Sequence, residues 1–223
     1  MNAFLILFGK LLSMVSRFMN VGSGSTWPGH IALSINKNFI KDVLKNSKAK
    51  IVLVAGTNGK TTTGKLIQTI LEKNNKKVFQ NESGANLLNG IASTLIRYSN
   101  RIGKINHDYG IFEIDENTLP LILKEINKPD YLIILNLFRD QLDRYGEVNT
   151  IAAKWKDALG KLDKKSILIL NADDPQVASL GSVRINHIGK AVPIPYRKGS
   201  YDQVLFFGLE NKQLITINYQ HAV

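Results

Sequence analysis

The run Val52-Leu53-Val54-Ala55-Gly56-Thr57-Asn58-Gly59-Lys60-Thr61-Thr62-Thr63 decides the fold. An apolar, β-branched stretch enters a turn bracketed by two glycines, and a Lys-Thr pair then opens a helix-like segment. Gly56 and Gly59 let the backbone turn so that successive N–H groups face an anion, and the helix N-terminus adds partial positive charge. Lys60 can reach the β/γ-phosphates of a nucleotide, and Thr61, or its neighbour Thr62, can offer a hydroxyl to Mg²⁺. Only Thr57 and Asn58 separate the glycines, where the commonest phosphate loop has four residues. A structural turn with a chance lysine is the bland alternative. Strand, turn, Lys-Thr and helix in that order speak against it.

Outward from this loop the chain alternates. Residues 50–55, 78–80, 109–114, 131–135 and 166–170 read as strands, and 61–73, 87–98, 119–126 and 151–159 as helices. Such alternation predicts an α/β fold with a mostly parallel sheet and helices on both faces. Ligands of open α/β sheets bind beyond the strand ends, where the polar loop residues of this chain fall. Two helices are expected ahead of the first strand, one at the N-terminus and one over 31–45, with a flexible Gly22-Ser23-Gly24-Ser25-Thr26 joint and a Trp27-Pro28-Gly29 turn between them. The expected division is a helical segment over 1–47 and a nucleotide-binding domain over 48–223. Past Pro175 the pattern weakens to short strands near 183–188, 204–208 and 214–219.

A chain of 223 residues, 44% hydrophobic, can bury one good α/β core. It has no cysteine, which excludes disulfides and thiolate metal sites and suits a cytoplasmic protein. The net charge of +11 raises nucleic acid as a partner. The lysines are scattered, however, without aromatic interleaving, so a solvated basic surface is the better account, with attraction to an anionic substrate or the inner membrane leaflet next. The N-terminal apolar stretch is broken by Lys10 and Arg17 before reaching the ~20 residues that span a bilayer. At helical spacing Phe4, Leu7, Phe8, Leu11, Leu12, Val15 and Phe18 form one stripe, expected to pack on the protein itself or on a partner, with rest on a membrane surface as the alternative.

Phosphoryl transfer needs charge neutralisation and alignment, so carboxylates beside the loop matter most. Glu113 ends a strand and offers the hard oxygen that Mg²⁺ selects; Lys60 and Glu113 are the expected catalytic pair. Asp115 and Glu116 follow, either holding a metal-bound water or forming a solvated strand end ahead of a helix near Thr118. Asn136 closes an apolar strand, where its amide can meet substrate or nucleotide. Arg139, Asp140, Asp143 and Arg144 suit either a site or an ion-pair network that stiffens the loop. Asn171 and Asp174 read as turn and cap residues. Histidines 30, 107, 187 and 221 stand alone and carry no expected role.

The short phosphate loop resembles that of the Mur ligases and folylpolyglutamate synthases. The resemblance extends through Asn81-Glu82-Ser83-Gly84-Ala85-Asn86, Glu113-Ile114-Asp115-Glu116, the segment from Asn136 to Glu147, and Asn171-Ala172-Asp173-Asp174-Pro175. With Trp27-Pro28-Gly29-His30-Ile31-Ala32 it is most similar to the MurT branch of that family, the ligase-like subunit of lipid II isoglutaminyl synthases.

That resemblance implies ATP and Mg²⁺ as cofactors and a role in peptidoglycan biosynthesis. The reaction implied is amidation of the D-glutamate α-carboxylate of the lipid II stem peptide to D-isoglutamine, through an acyl phosphate. Ammonia would come from a GatD-like glutaminase partner. An enzyme adding an amino acid instead of ammonia is one alternative, and a non-catalytic nucleotide-binding module is another. The location implied is cytoplasmic, with peripheral contact at the inner membrane face. Glu113 takes the place of the family's magnesium glutamate, and Asn86 that of a loop residue near the phosphates, with N-capping of the following helix as its rival role. Gln141 stands where many Mur ligases have a metal-binding histidine, a weaker ligand that leaves a second magnesium site open. Lys154, in Ala152-Ala153-Lys154-Trp155, resembles the carbamylated-lysine segment of some Mur ligases but reads equally as a surface lysine. Zinc is not expected, since the branch's usual four-cysteine ribbon has no counterpart here. The usual C-terminal ligase domain has none either, which suggests a truncated or reduced relative.

Overall fold

A computed structural model describes residues 2–18, 26–138, 147–163, 165–181, 203–208 and 215–218. In chain order its elements are α1 (Asn2–Phe18), α2 (Trp27–Ile35), α3 (Phe39–Lys45), β1 (Lys50–Ala55), α4 (Lys60–Lys73), β2 (Val78–Gln80) and α5 (Leu88–Tyr98). There follow β3 (Tyr109–Ile114), α6 (Leu119–Glu125), β4 (Tyr131–Ile134), α7 (Glu147–Gly160), β5 (Ile167–Asn171), α8 (Pro175–Leu180), β6 (Gln203–Phe207) and β7 (Ile215–Asn218). The expected α/β class with a mostly parallel sheet is what the chain adopts: β1–β4, β2–β3, β4–β5 and β5–β6 pair in parallel, and β6–β7 antiparallel. Two compact units result, Met1–Ile51 with Thr61–Ile114, and Val52–Lys60 with Asp115–Val223.

In the first unit, β2 and β3 run side by side, Val78 opposite Tyr109 and Gln80 opposite Ile111. Their apolar residues join α5 in a core of Phe79, Phe112, Ile91, Leu95, Ile96, Ile111 and Ile114, all essentially inaccessible to water. Each such side chain contributes about 1.5–3 kcal/mol by burial. Phe79 meets Phe112 edge-on at 5.7 Å between ring centres, the geometry the aromatic quadrupole favours. Helix α2 lies close against α5 because Gly29 has no side chain: a Cβ there would fall 1.9 Å from the Asn89 carbonyl oxygen. The Gly29 N–H instead donates to Ser93 Oγ at 2.8 Å.

Two expectations for this unit are corrected. The single helix over 31–45 is two helices, and Trp27-Pro28-Gly29 is the first turn of α2 rather than a turn ahead of it. The break is at Asn36, which leaves helical geometry (φ −129°, ψ 100°). Its amide oxygen accepts from Asn38 N at 3.0 Å while its NH₂ donates to Asn2 Oδ1 and Asp42 Oδ2, both at 2.9 Å. An asparagine that finds such local partners competes with helix continuation. The second correction concerns α1, whose expected stripe does not pack on the described residues of the protein itself, which leaves a partner or a membrane surface as its expected neighbours. Leu5, Ile6 and Gly9 are buried, Gly9 facing Ile96 and Pro28, whereas Phe4, Leu7, Phe8 and Leu11 are exposed. The side chains of Val15 and Phe18 lie outside the described residues.

The second unit is built on β1, β4, β5, β6 and β7. Val52 to Ala55 stand opposite Tyr131 to Ile134, and Tyr131 to Ile134 opposite Ile167 to Leu170. Their side chains bury with Leu119 and Ile122 of α6 and with Trp155 and Leu159 of α7. Trp155 is wholly buried, and its indole N–H donates to the Glu116 carbonyl at 2.8 Å, so the largest side chain of the core also meets its polar requirement. The described part of the tail agrees with the expected strands as β6 and β7, while the Gly22–Ser25 part of the joint and the strand expected near 183–188 lie outside the described residues. Helix α8 was not anticipated.

Candidate functional site

Strand β1 delivers its chain into the loop 56–59 with Gly56 at φ +142° and Gly59 at φ +84°, conformations that L side chains rarely adopt. Gly56 is also closely packed, since a Cβ would press on the Asn136 carbonyl oxygen at 3.0 Å and that chain would have to give. The loop is fixed by residues that follow β4. Asn58 N donates to Asn136 Oδ1 at 2.8 Å, Asn136 Nδ2 donates to Asn58 O at 3.0 Å, and Thr57 N donates to Asn136 O at 3.1 Å. Phe138 N donates to Thr57 Oγ1 at 3.1 Å. Asn136 therefore clasps the loop from the side.

Lys60 opens helix α4, and its ammonium folds back to donate to the carbonyls of Gly56 at 2.5 Å and Thr57 at 2.8 Å, with Glu116 Oε2 at 4.0 Å. A fixed cation thus sits on its own loop. Asp174, only 4% exposed, supports the arrangement from behind: it accepts from Leu137 N at 2.7 Å and from Gln176 N and Val177 N, capping α8. Asn171 Oδ1 accepts from Asp173 N at 2.9 Å, turning the chain after β5, while its Nδ2 donates to Leu135 O at 2.8 Å. These are the cap and turn duties expected of the pair.

The next residue, Thr61, belongs with the first unit. Its hydroxyl donates to Glu113 Oε2 at 2.6 Å, and Gln80 Nε2 donates to Glu113 Oε1 at 2.8 Å. Asn81 holds the backbone of the same residue, accepting from Glu113 N at 2.8 Å and donating to Glu113 O at 3.0 Å and Ala85 O at 2.8 Å. Glu113 is 3% exposed, and among the described residues it forms no ion pair. A buried carboxylate with only neutral donors is costly unless a cation joins it. Together with the adjacent Thr61 hydroxyl it presents the hard oxygen donors that suit Mg²⁺. The fit is chemical and local. No cluster of three or more His, Cys, Asp or Glu suited to a metal occurs among the described residues.

Other expected residues are placed as follows. Thr62 is exposed on α4 and Lys154 exposed on α7. Asn86 does not cap α5, whose N-cap is Leu87. Asp115 turns the chain ahead of α6, its Oδ1 accepting from Asn117 N at 3.0 Å and its carbonyl from Thr118 N and Leu119 N. Gln141, Arg139, Asp140, Asp143 and Arg144 lie outside the described residues. Sequence reasoning gave no role to Gln80, Asn81 or Gly64. A Cβ on Gly64 would come within 2.5 Å of Gln80 Nε2, so this glycine in α4 is what lets Gln80 lie over the helix. The signal was available in part: polar Gln80 and Asn81 close a strand whose inner residue is Phe79.

Known proteins resemble this chain in sequence and in fold. Residues 54–213 match the Mur ligase middle domain. The chain is 41% identical over 170 residues to the lipid II isoglutaminyl synthase (glutamine-hydrolyzing) subunit MurT of Streptococcus pneumoniae, covering 75% of this chain and 36% of that protein. It is 38% identical over 175 residues to the subunit of the same name from Staphylococcus aureus, covering 78% and 38%. The chain therefore spans little more than a third of the length of these curated relatives. Among solved structures, the MurF ligase of Thermotoga maritima in complex with ADP shares the fold, with a TM-score of 0.60 at 21% identity, covering 80% of this chain and 37% of that one.

Proposed function

Because this chain belongs to the Mur ligase family through its middle domain, we propose that it binds Mg²⁺-ATP at the Gly56–Thr61 loop and serves a MurT-type amidation in peptidoglycan synthesis. Two observations support the reading, each within its own unit: the loop clasped by Asn136 in the second, and above all the Thr61 hydroxyl on the buried Glu113 in the first. The relatives' names supply the rest: each is a subunit of a glutamine-hydrolyzing lipid II isoglutaminyl synthase.

On this reading the loop amides around Gly59 and the N-terminus of α4 receive the triphosphate, and Lys60 exchanges its contacts with Gly56 O and Thr57 O for phosphate oxygens. Thr61 and Glu113 would hold Mg²⁺, which supplies positive charge to the phosphate oxygens. The acceptor is the D-glutamate α-carboxylate of the lipid II stem peptide. One carboxylate oxygen attacks the γ-phosphorus, the bond to the bridging oxygen breaks, and ADP leaves. Ammonia then adds to the acyl phosphate carbon, phosphate departs with the C–O electron pair, and the nitrogen loses a proton to give the amide. The chain has no cysteine to act as the nucleophile in glutamine hydrolysis, so ammonia comes from a GatD-like glutaminase partner. The working location is the cytoplasmic side of the membrane.

The test is reconstitution with a glutaminase subunit, glutamine, Mg²⁺-ATP and lipid II, read by mass change of the stem peptide. Amidation that requires Lys60 and Glu113 supports the proposal. Addition of an amino acid instead, or ATP binding without any turnover, would point to the rival ligase or the non-catalytic module.

A further inference from the structure

Helix α1 has two apolar faces, and the described residues cover only one of them. Leu5, Ile6 and Gly9 pack inward. The opposite half presents Ala3, Phe4, Leu7, Phe8, Leu11 and Met14 to solvent with no polar residue among them. Phe4 is 69% and Leu11 53% exposed, and the rings of Phe4 and Phe8 stack at 6.2 Å along the helix. An ordinary surface helix carries charges on that side.

Two further features of the same unit adjoin α1. Lys10 Nζ donates to the Ser99 carbonyl, and a Cβ on Gly103 would stand 3.4 Å from Ile6 Cδ1, so the turn 100–103 lies against the helix. At its tip Ile102 is 70% exposed between exposed Arg101 and Lys104. Burial, with the Arg101 guanidinium as second cause, holds the Lys10 ammonium below the usual lysine range. On the other flank Gly9 approaches Pro28, and the neighbouring Trp27 is 67% exposed at the start of α2. Charge identifies the occupant. Residues 1–51 contain seven Lys or Arg and one acid, Asp42, and so carry +6 of the chain's +11. That acid is itself engaged by Asn36 and Asn2.

We propose that the exposed face of α1, together with Trp27 and the Arg101-Ile102-Lys104 turn, is a binding surface for an anionic lipid bilayer, on which α1 lies in the interface plane. An apolar stripe beside a basic surface and an exposed tryptophan are the elements of interfacial helices. No described helix is long and apolar enough to cross a membrane, so the helix rests on the bilayer rather than spanning it. This deepens the proposed function by giving a lipid-linked acceptor a surface at which to be met, but it uses none of the nucleotide chemistry.

The test needs no nucleotide, so its failure leaves the ATP reading untouched. The chain has two tryptophans, of which Trp155 is wholly buried, so Trp27 reports contact directly. Equimolar phosphatidylglycerol/phosphatidylcholine vesicles should shift its emission to the blue and carry the protein down on sedimentation, and pure phosphatidylcholine should do so less. Leu11→Asp should weaken vesicle binding by about tenfold or more, since it withholds a leucine's worth of apolar burial. Arg101→Glu with Lys104→Glu should weaken binding to the anionic vesicles alone, and high salt should do the same. All three positions are exposed, and an unchanged circular dichroism spectrum and thermal midpoint would verify the fold. Absence of wild-type binding to anionic vesicles, or wild-type binding by Leu11→Asp, overturns the proposal. So does a wild-type dimer, indifferent to vesicles, that Leu11→Asp converts to monomer, because the face would then belong to a second copy.

Discussion

Asn136 holds Asn58 by both of its backbone polar groups: its Oδ1 accepts from Asn58 N and its Nδ2 donates to Asn58 O. A residue just beyond β4 thus sets the shape of the loop that follows β1. Asn136→Ala removes both bonds at a half-buried position, so the expected stability loss is ~1 kcal/mol. The loop loses its preorganisation, and ATP affinity measured by calorimetry is expected to fall several-fold. Asn136→Asp keeps the acceptor but places a negative charge beside the phosphates, and should be the more damaging of the two.

Asp174 predicts a contrast between two conservative changes. Asp174→Asn keeps one oxygen for Gln176 N and Val177 N but turns an NH₂ toward Leu137 N, donor against donor. A buried donor without an acceptor costs about 1–3 kcal/mol. In a chain of this size that is a Tm decrease of about 2–4 °C per kcal/mol. Asp174→Ala should lose more, because the α8 cap goes as well.

Two glycines behave oppositely. Gly29→Ala places a Cβ into the Asn89 backbone and should destabilise the α2–α5 contact by about 2 kcal/mol or more, seen as a lower midpoint in chemical denaturation. Gly64→Ala meets only the far end of the Gln80 side chain, which can swing away. A helix-propensity gain of up to ~1 kcal/mol offsets the lost Gln80–Glu113 bond, so thermal stability should change little. Glu113 then loses its Gln80 partner, and the Mg²⁺ concentration needed for half-maximal ATP binding should rise.

His107 gives a pH dependence. Its ring packs against Phe79 at 5.2 Å and Tyr98 at 5.3 Å, and among the described residues its Nδ1 has no hydrogen-bond partner. Burial first, then the Lys77 charge, lowers its pKa in the folded chain. The folded state therefore binds this proton less readily than the unfolded state. The His107 contribution is complete above the unfolded value of ~6.5 and is lost as pH falls below it toward the folded value. Urea midpoints should decline from pH 7 to pH 5, and His107→Phe should flatten that decline.

The strands and the phosphate loop were legible because their signals are local: β-branched runs, two glycines at required conformations, and a Lys-Thr helix start. Glu113 was legible as a carboxylate ending a strand, and Thr61 does meet it. The face of α1 was not, because both its faces are apolar and only tertiary contact with Ile96 and Pro28 selects Leu5, Ile6 and Gly9 for burial. Nor was the break at Asn36, whose partners Asn2 and Asp42 are set by the fold. Gln80 and Gly64 were hidden for the same reason: their relation crosses from a strand to a helix, and neither residue type signals it alone.

The central claim is tested most directly by titrating ATP with Mg²⁺ into the wild-type chain and into Lys60→Ala by calorimetry. Lys60 makes charge-assisted bonds worth roughly 1.5–3 kcal/mol each when they reach phosphate, so affinity should fall about 10- to 100-fold. Removing Mg²⁺ should weaken the wild type as well. Equal affinity in the two proteins, or no ATP binding by the wild type, would contradict the account.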